Sequence, residues 1–197
     1  MSTKTRSKAR DGTKIRGFFR VHIVDEDGMV AGDSGWQNNQ ITNLGFNQFL
    51  VSALGAIAGS KQVSFMALGE GGVPNATDTS LSSEVVGTGV SRAAVTAATS
   101  SSSKTVRFTA TFSSTNSFVT QTENISNIGL FNSNAAGTLF AGNAYNSSSC
   151  ATNQNVFLTA VAVWHSLLVT ACKILRKFGE HLSEKMPSQA PFAMGKV

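Results

Sequence analysis

The chain has 197 residues, of which 14% are charged and 41% hydrophobic, with 18 Gly, 3 Pro and 2 Cys. So few charges, with Ser, Thr, Asn and Gly in their place, exclude a coiled coil, a helix bundle and an acidic disordered chain, and favour short strands joined by polar turns. Two cysteines exclude a disulfide framework and a Cys-based zinc site.

The net charge of +5 is unevenly spread: residues 1–20 carry +6, residues 21–172 carry −4 and residues 173–197 carry +3. Residues 1–16 hold almost nothing apolar to offset the entropy of ordering, so a flexible basic arm is expected there. Lys4, Arg6, Lys8, Arg10, Lys14 and Arg16 are its candidate contacts to nucleic acid or a protein partner, the other reading being an inert tail that aids solubility. No aromatic residue interleaves with them, which argues against base stacking. A body follows over residues 17–166.

Gly17 to Val24 alternates Phe19, Val21 and Ile23 against Phe18, Arg20, His22 and Val24, the period of a strand. Asp25-Glu26-Asp27-Gly28 is a turn, a second strand starts near Met29, and Gly32 to Asn39 reads as polar loop with an exposed Trp36. Thr42 or Asn43 caps a helix with Phe46, Phe49, Leu50, Ala53 and Ile57 on one face. Gln62 to Leu68 suits a buried strand, ended by Gly69-Glu70-Gly71-Gly72-Val73-Pro74. Residues 75–92 read as an ordered loop anchored by Leu81 and Val85, with Glu84 positioned to pair with Arg92.

Further strands are expected at residues 93–99, at Lys104 to Phe112, at Ile125 to Phe131, at Thr138 to Tyr145 and at Asn155 to His165. Leu168, Ala171, Cys172, Leu175, Phe178 and Leu182 form the stripe of an amphipathic helix over residues 167–186, before a disordered tail at 187–197. Val156 to Cys172 is 17 uncharged residues, but its first part is strand-like, so no membrane span is expected. The pattern predicts a mainly β chain: an antiparallel β-sandwich, jelly-roll-like, with one short internal helix and a C-terminal amphipathic helix.

No motif carries chemistry. Gly32-Asp33-Ser34-Gly35 copies four letters of a serine-nucleophile motif, yet too little chain precedes it for a His and an orienting Asp. Gly69 to Gly72 lacks the Gly-Lys-Ser/Thr of a phosphate loop, and Asp25 to Gly28 lacks the closing Glu of a calcium loop. His22, His165 and His181 have no ligand spacing. Cys150, in a Ser-rich loop, and Cys172 read as free thiols. No enzyme, cofactor or metal is expected. Trp36 and Tyr145 in polar loops give a glycan-reading module a weak case.

The order of several pieces carries a resemblance. Asn39-Gln40-Ile41-Thr42-Asn43-Leu44-Gly45 leads into a helix. Then come Met66-Ala67-Leu68-Gly69-Glu70-Gly71, Asp78-Thr79-Ser80-Leu81 with Glu84 and Arg92, Ile128-Gly129-Leu130-Phe131, and Gly137-Thr138-Leu139-Phe140-Ala141. This series, over roughly residues 17–165, resembles small virion structural proteins of tailed bacteriophages. The resemblance implies a non-enzymatic head-decoration or tail/fibre-associated subunit, located in the virion and assembled in the host cytoplasm. Its implied partners are copies of itself and other virion proteins. It also implies structural roles for Gly69, Gly71, Gly72, Leu81, Glu84 and Arg92. The +6 segment and the residues beyond 166 depart from the group. The arm leaves a second expectation, a shell-forming capsid protein that binds nucleic acid.

Overall fold

The computed structural model describes residues 13–166, and a compact unit spans Ile15–Trp164. Ten antiparallel strands form one sheet: β1 (Thr13–Val24), β2 (Val30–Asp33), β3 (Gln37–Ile41), β4 (Phe65–Gly69), β5 (Arg92–Ala94), β6 (Thr96–Ser100), β7 (Thr105–Phe112), β8 (Glu123–Phe131), β9 (Leu139–Cys150) and β10 (Asn155–Ser166). The path runs β5-β4-β8-β9-β3-β1-β10-β7-β6, with β2 beside β1, and nearly closes into a barrel. The mainly β expectation therefore holds, as one sheet folded on itself. The C-terminal helix at 167–186, the tail at 187–197 and arm residues 1–12 lie outside the described residues. Lys14 and Arg16, assigned to the arm from sequence, stand on β1 instead.

Two strands turn the sheet's corners. Gln37–Asn39 of β3 pairs with Phe19–Gly17 of β1, and then Gln40 and Ile41 pair with Gly142 and Ala141 of β9. The stretch around residues 93–99, expected as one strand, bends at Val95. Its first half pairs with β4 and its second with β7. The Val95 N–H still donates to the Ser64 carbonyl (2.9 Å), one rung past the Phe65–Ala94 pair, before the chain turns to β7. The loop expected over Gly32 to Asn39 shrinks to Ser34–Trp36 between β2 and β3.

The core follows the alternation. Phe19, Val21 and Ile23 of β1, Phe112 of β7 and Val156, Leu158 and Ala160 of β10 point inward and are buried. β4 and β8 are buried on both faces, which explains their unbroken apolar runs. Met66, Leu68, Ile128 and Leu130 enter the main core. Ala67, Phe131 and Leu139 form a second cluster on the other face, plugged by Leu81 of the 70–91 loop. Phe118 and Val119, after a 3-10 turn at Ser114–Asn116, also enter the main core, and no periodicity marked them.

The helical segment departs most from expectation. A π-helical run, Gly45–Val51, passes into one α turn, Ser52–Leu54. Its hydrogen bonds reach five residues, as from Ser52 N–H to the Asn47 carbonyl, which rotates the apolar positions apart. Phe49 is buried and Leu50 half-buried, while Phe46, Ala53 and Ile57 are exposed. Thr42 is the expected cap: its hydroxyl accepts the Gly45 N–H (2.9 Å) and donates to the Leu139 carbonyl (2.6 Å).

Candidate functional site

The residues that carry the resemblance meet around the 70–91 loop. Arg92, 8% exposed, donates from Nε and one terminal nitrogen to both oxygens of Glu84 (2.6 and 2.8 Å). Its other terminal nitrogen donates to the carbonyls of Ser133 (2.9 Å) and Ala136 (2.6 Å). The guanidinium lies 3.6 Å over the centre of the Phe131 ring. The pairing of Glu84 with Arg92 is the one expected from sequence, and spacing alone left its burial open. The two side chains are only 6% and 16% exposed, with Leu81 packed in the cluster that includes Phe131.

The loop's other end is tied by backbone and by Asn127. Gly69 bridges to Glu84, and the Glu70 N–H donates to the Ser83 carbonyl (3.0 Å). Asn127, fully buried on β8, donates to the carbonyls of Gly72 (3.1 Å) and Ser82 (3.3 Å). A Cβ on Gly71 would strike Ser82, so the glycine permits this closeness, whereas Gly72 has open space around it. Asn127 was not singled out from sequence, because a polar residue in a strand reads as outward-facing. Beside the loop, the Glu70 carboxylate raises the pKa of the Glu123 carboxyl.

Each sheet corner opens a cleft. One of about 690 Å³ lies between Arg92–Ala94 of β5 and Ala110–Phe112 of β7, beyond the reach of β6, which pairs only with Thr105–Thr109. Its walls are mainly Ala, Thr, Ser and Asn, with Arg92 already committed to Glu84. The other, about 550 Å³, lies between Asp33–Gln37 and Ala144–Ser148. Here Arg20 binds Asp33 through two hydrogen bonds (3.0 and 2.5 Å), and Gly35 N–H adds a third (2.9 Å). Arg20 first, then that N–H, holds the Asp33 carboxyl well below the usual carboxylate range.

Ser34 is engaged as a turn residue. Its hydroxyl accepts the Val21 N–H (2.9 Å) and donates to the Gly35 carbonyl (2.8 Å). Trp36 is 53% exposed at this bend, but Tyr145 is buried against Phe19 with ring centres 6.0 Å apart, so the two rings expected in polar loops share no exposed platform. Cys150 belongs to β9, paired with Glu123 of β8, rather than to a loop. Burial pushes its thiol up to about 11. Among the described residues no three His, Cys, Asp or Glu side chains converge as metal ligands, and no helix is long and apolar enough to cross a membrane.

Of the sequence-derived site residues, the structure brings Gly69, Gly71, Gly72, Leu81, Glu84 and Arg92 to one loop and its clamp, and leaves Lys14 and Arg16 exposed on β1. Lys4, Arg6, Lys8 and Arg10 lie outside the described residues. Comparison of the chain with family models, curated proteins and solved structures finds no match.

Proposed function

We propose that the chain is a non-enzymatic virion structural protein of a tailed phage, a head-decoration or tail/fibre-associated subunit. It self-associates symmetrically and docks on a larger shell or tube. One observation carries this reading: Leu81, Glu84, Arg92, Phe131 and Leu139, drawn from separate segments of the resembling series, are spent on one clamp that holds a long loop against the sheet. Residues kept for folding a building block, with reactive groups such as Ser34 tied to backbone, suit a part whose work is assembly. In this reading the folded sheet is the jelly-roll-like sandwich body, and the segments before Thr13 and after Ser166 reach neighbouring subunits.

Light scattering of the purified chain at low and high salt, with negative-stain images of the same fractions, tests it. The expected result is a small closed oligomer whose mass is independent of salt. A monomer at every concentration that also binds no particle component overturns the reading. The +6 charge of residues 1–20 supports a second reading, a shell-forming capsid protein whose arm binds nucleic acid. It requires shells that retain nucleic acid with a steep salt dependence, lost on deleting residues 1–12. Binding unchanged by that deletion eliminates it.

A further inference from the structure

The helical segment leaves an apolar surface that the barrel does not cover. Phe46 is 53% exposed, Val51 49%, Leu54 91% and Ile57 59%. Val51 and Leu54 stand three residues apart in the last turn, and Phe46 precedes Val51 by the five residues of one π hydrogen bond. The turn ends at Leu54, and Ala56, at φ +48°, folds the chain back so that the Ile57 side chain lies against Gly55. Other residues anchor the segment. Phe49 packs on Phe140 (5.1 Å between ring centres), and Gly45 sits so close that a Cβ would land on the Phe140 carbonyl. The segment is thus held by Gly45, Phe49 and the half-buried Leu50, while Phe46, Val51, Leu54 and Ile57 stay exposed.

We infer that this face is where a second copy of the chain docks, helix against helix across a twofold axis. The inference rests on the self-association proposed above and adds the surface that performs it. Two observations favour a second copy. A twofold contact sets each residue near its own counterpart, so it needs a surface that repels nothing in itself. No ionisable side chain occurs between Asp33 and Lys61, so this face meets its copy without like-charge opposition.

The area also fits. The four side chains leave on the order of 450 Å² of apolar surface open, the size of the largest patch on a typical monomer, which is often functional. With the exposed Ala53, Ala56 and Ala58 beside them, a twofold contact buries on the order of 1,200 Å² in total, the lower bound for specific interfaces.

The test is light-scattering mass against concentration for the full chain and for Leu54→Glu, Ile57→Gln and the control Val86→Glu. Val86 is 70% exposed and belongs to the 70–91 loop, not to the helical segment. Circular dichroism and melting temperature verify that each variant folds, as Leu54 makes few contacts to lose. The expected result is a dimer or even-numbered oligomer whose dissociation constant rises at least about tenfold in Leu54→Glu, rises less in Ile57→Gln and is unchanged in Val86→Glu. Unchanged association of Leu54→Glu overturns this face as the contact while leaving the self-associating subunit intact. A monomeric wild type overturns the inference. If Leu54→Glu then also loses co-sedimentation with particles, the face belongs to a different virion chain.

Discussion

Replacing Arg92 by Ala measures how much the loop clamp contributes to stability. Four hydrogen bonds and the stack on Phe131 disappear together, and Glu84 keeps a carboxylate that is only 16% exposed and has lost its cation. Removing one partner of a buried pair costs about 3–5 kcal/mol, most of it from the charge left behind. For a chain of this size each kcal/mol is roughly 2–4 °C of melting temperature, so Arg92→Ala lowers Tm by about 10 °C. Urea unfolding reads the same loss as a lower midpoint at unchanged slope. The double variant Arg92→Met/Glu84→Met removes both charges and recovers more than half of it. A loss below about 1 kcal/mol in Arg92→Ala, the range of a surface pair, refutes the reasoning. So does a double variant no more stable than the single one.

Gly45→Ala forces a Cβ onto the Phe140 carbonyl, and overpacking of this kind costs about 1–3 kcal/mol; a thermal melt unchanged from wild type would show that the segment shifts freely. Two carboxyls give opposite pH slopes. Asp33, held low by Arg20, contributes stability above the ordinary Asp range, and that stability is lost as pH falls below about 4. Arg20→Gln therefore flattens the acid limb of Tm against pH, and an unaltered limb contradicts the pairing. Glu123, held high by Glu70, contributes stability while protonated that is lost as pH rises through its folded pKa. Glu123→Gln thus raises Tm at neutral pH and not in acid, and equal effects at both refute the coupling. In a Cys172→Ser background Cys150, with a thiol near 11, holds roughly a few-hundredfold less thiolate than a free thiol near 8.5. It should label slowly in the native state and rapidly in denaturant, and fast native labelling would contradict its burial.

Alternation made β1, β7 and β10 legible, because each has one face on the core and one toward solvent. The Glu84–Arg92 pairing was legible from its motif, but its burial was not, since that depends on Phe131 and on carbonyls some forty residues away. The corner at Val95 was hidden because residues 93–99 read as one uninterrupted strand, and the bend comes only from which neighbour each half pairs with. Cys150 looked like loop among serines, yet β9 stays paired to β8 to its last residue. The helical stripe failed for a local reason. The 3.6-residue period assumes four-residue hydrogen bonds, which the π run from Gly45 to Val51 breaks at Phe46, and a helix that continues past Leu54, whereas the chain turns at Ala56 before Ile57.

The same misread stripe separates the two jobs of the segment. Gly45 and Phe49 hold it to the barrel, while Phe46, Leu54 and Ile57 stay exposed and form the face proposed above to meet a second copy. That division is what a subunit needs if its fold is to be complete before assembly, because the contact surface then contributes little to the stability of the single chain.

The claim that the chain is a virion building block is tested most directly in particles. Density-gradient-purified particles from the source culture, analysed by quantitative mass spectrometry, give the copies of this chain per particle. The account expects a fixed number, a multiple of the symmetry of a head or tail, that survives salt washing. Absence of the chain from intact particles, or a trace amount that varies between preparations, would contradict it.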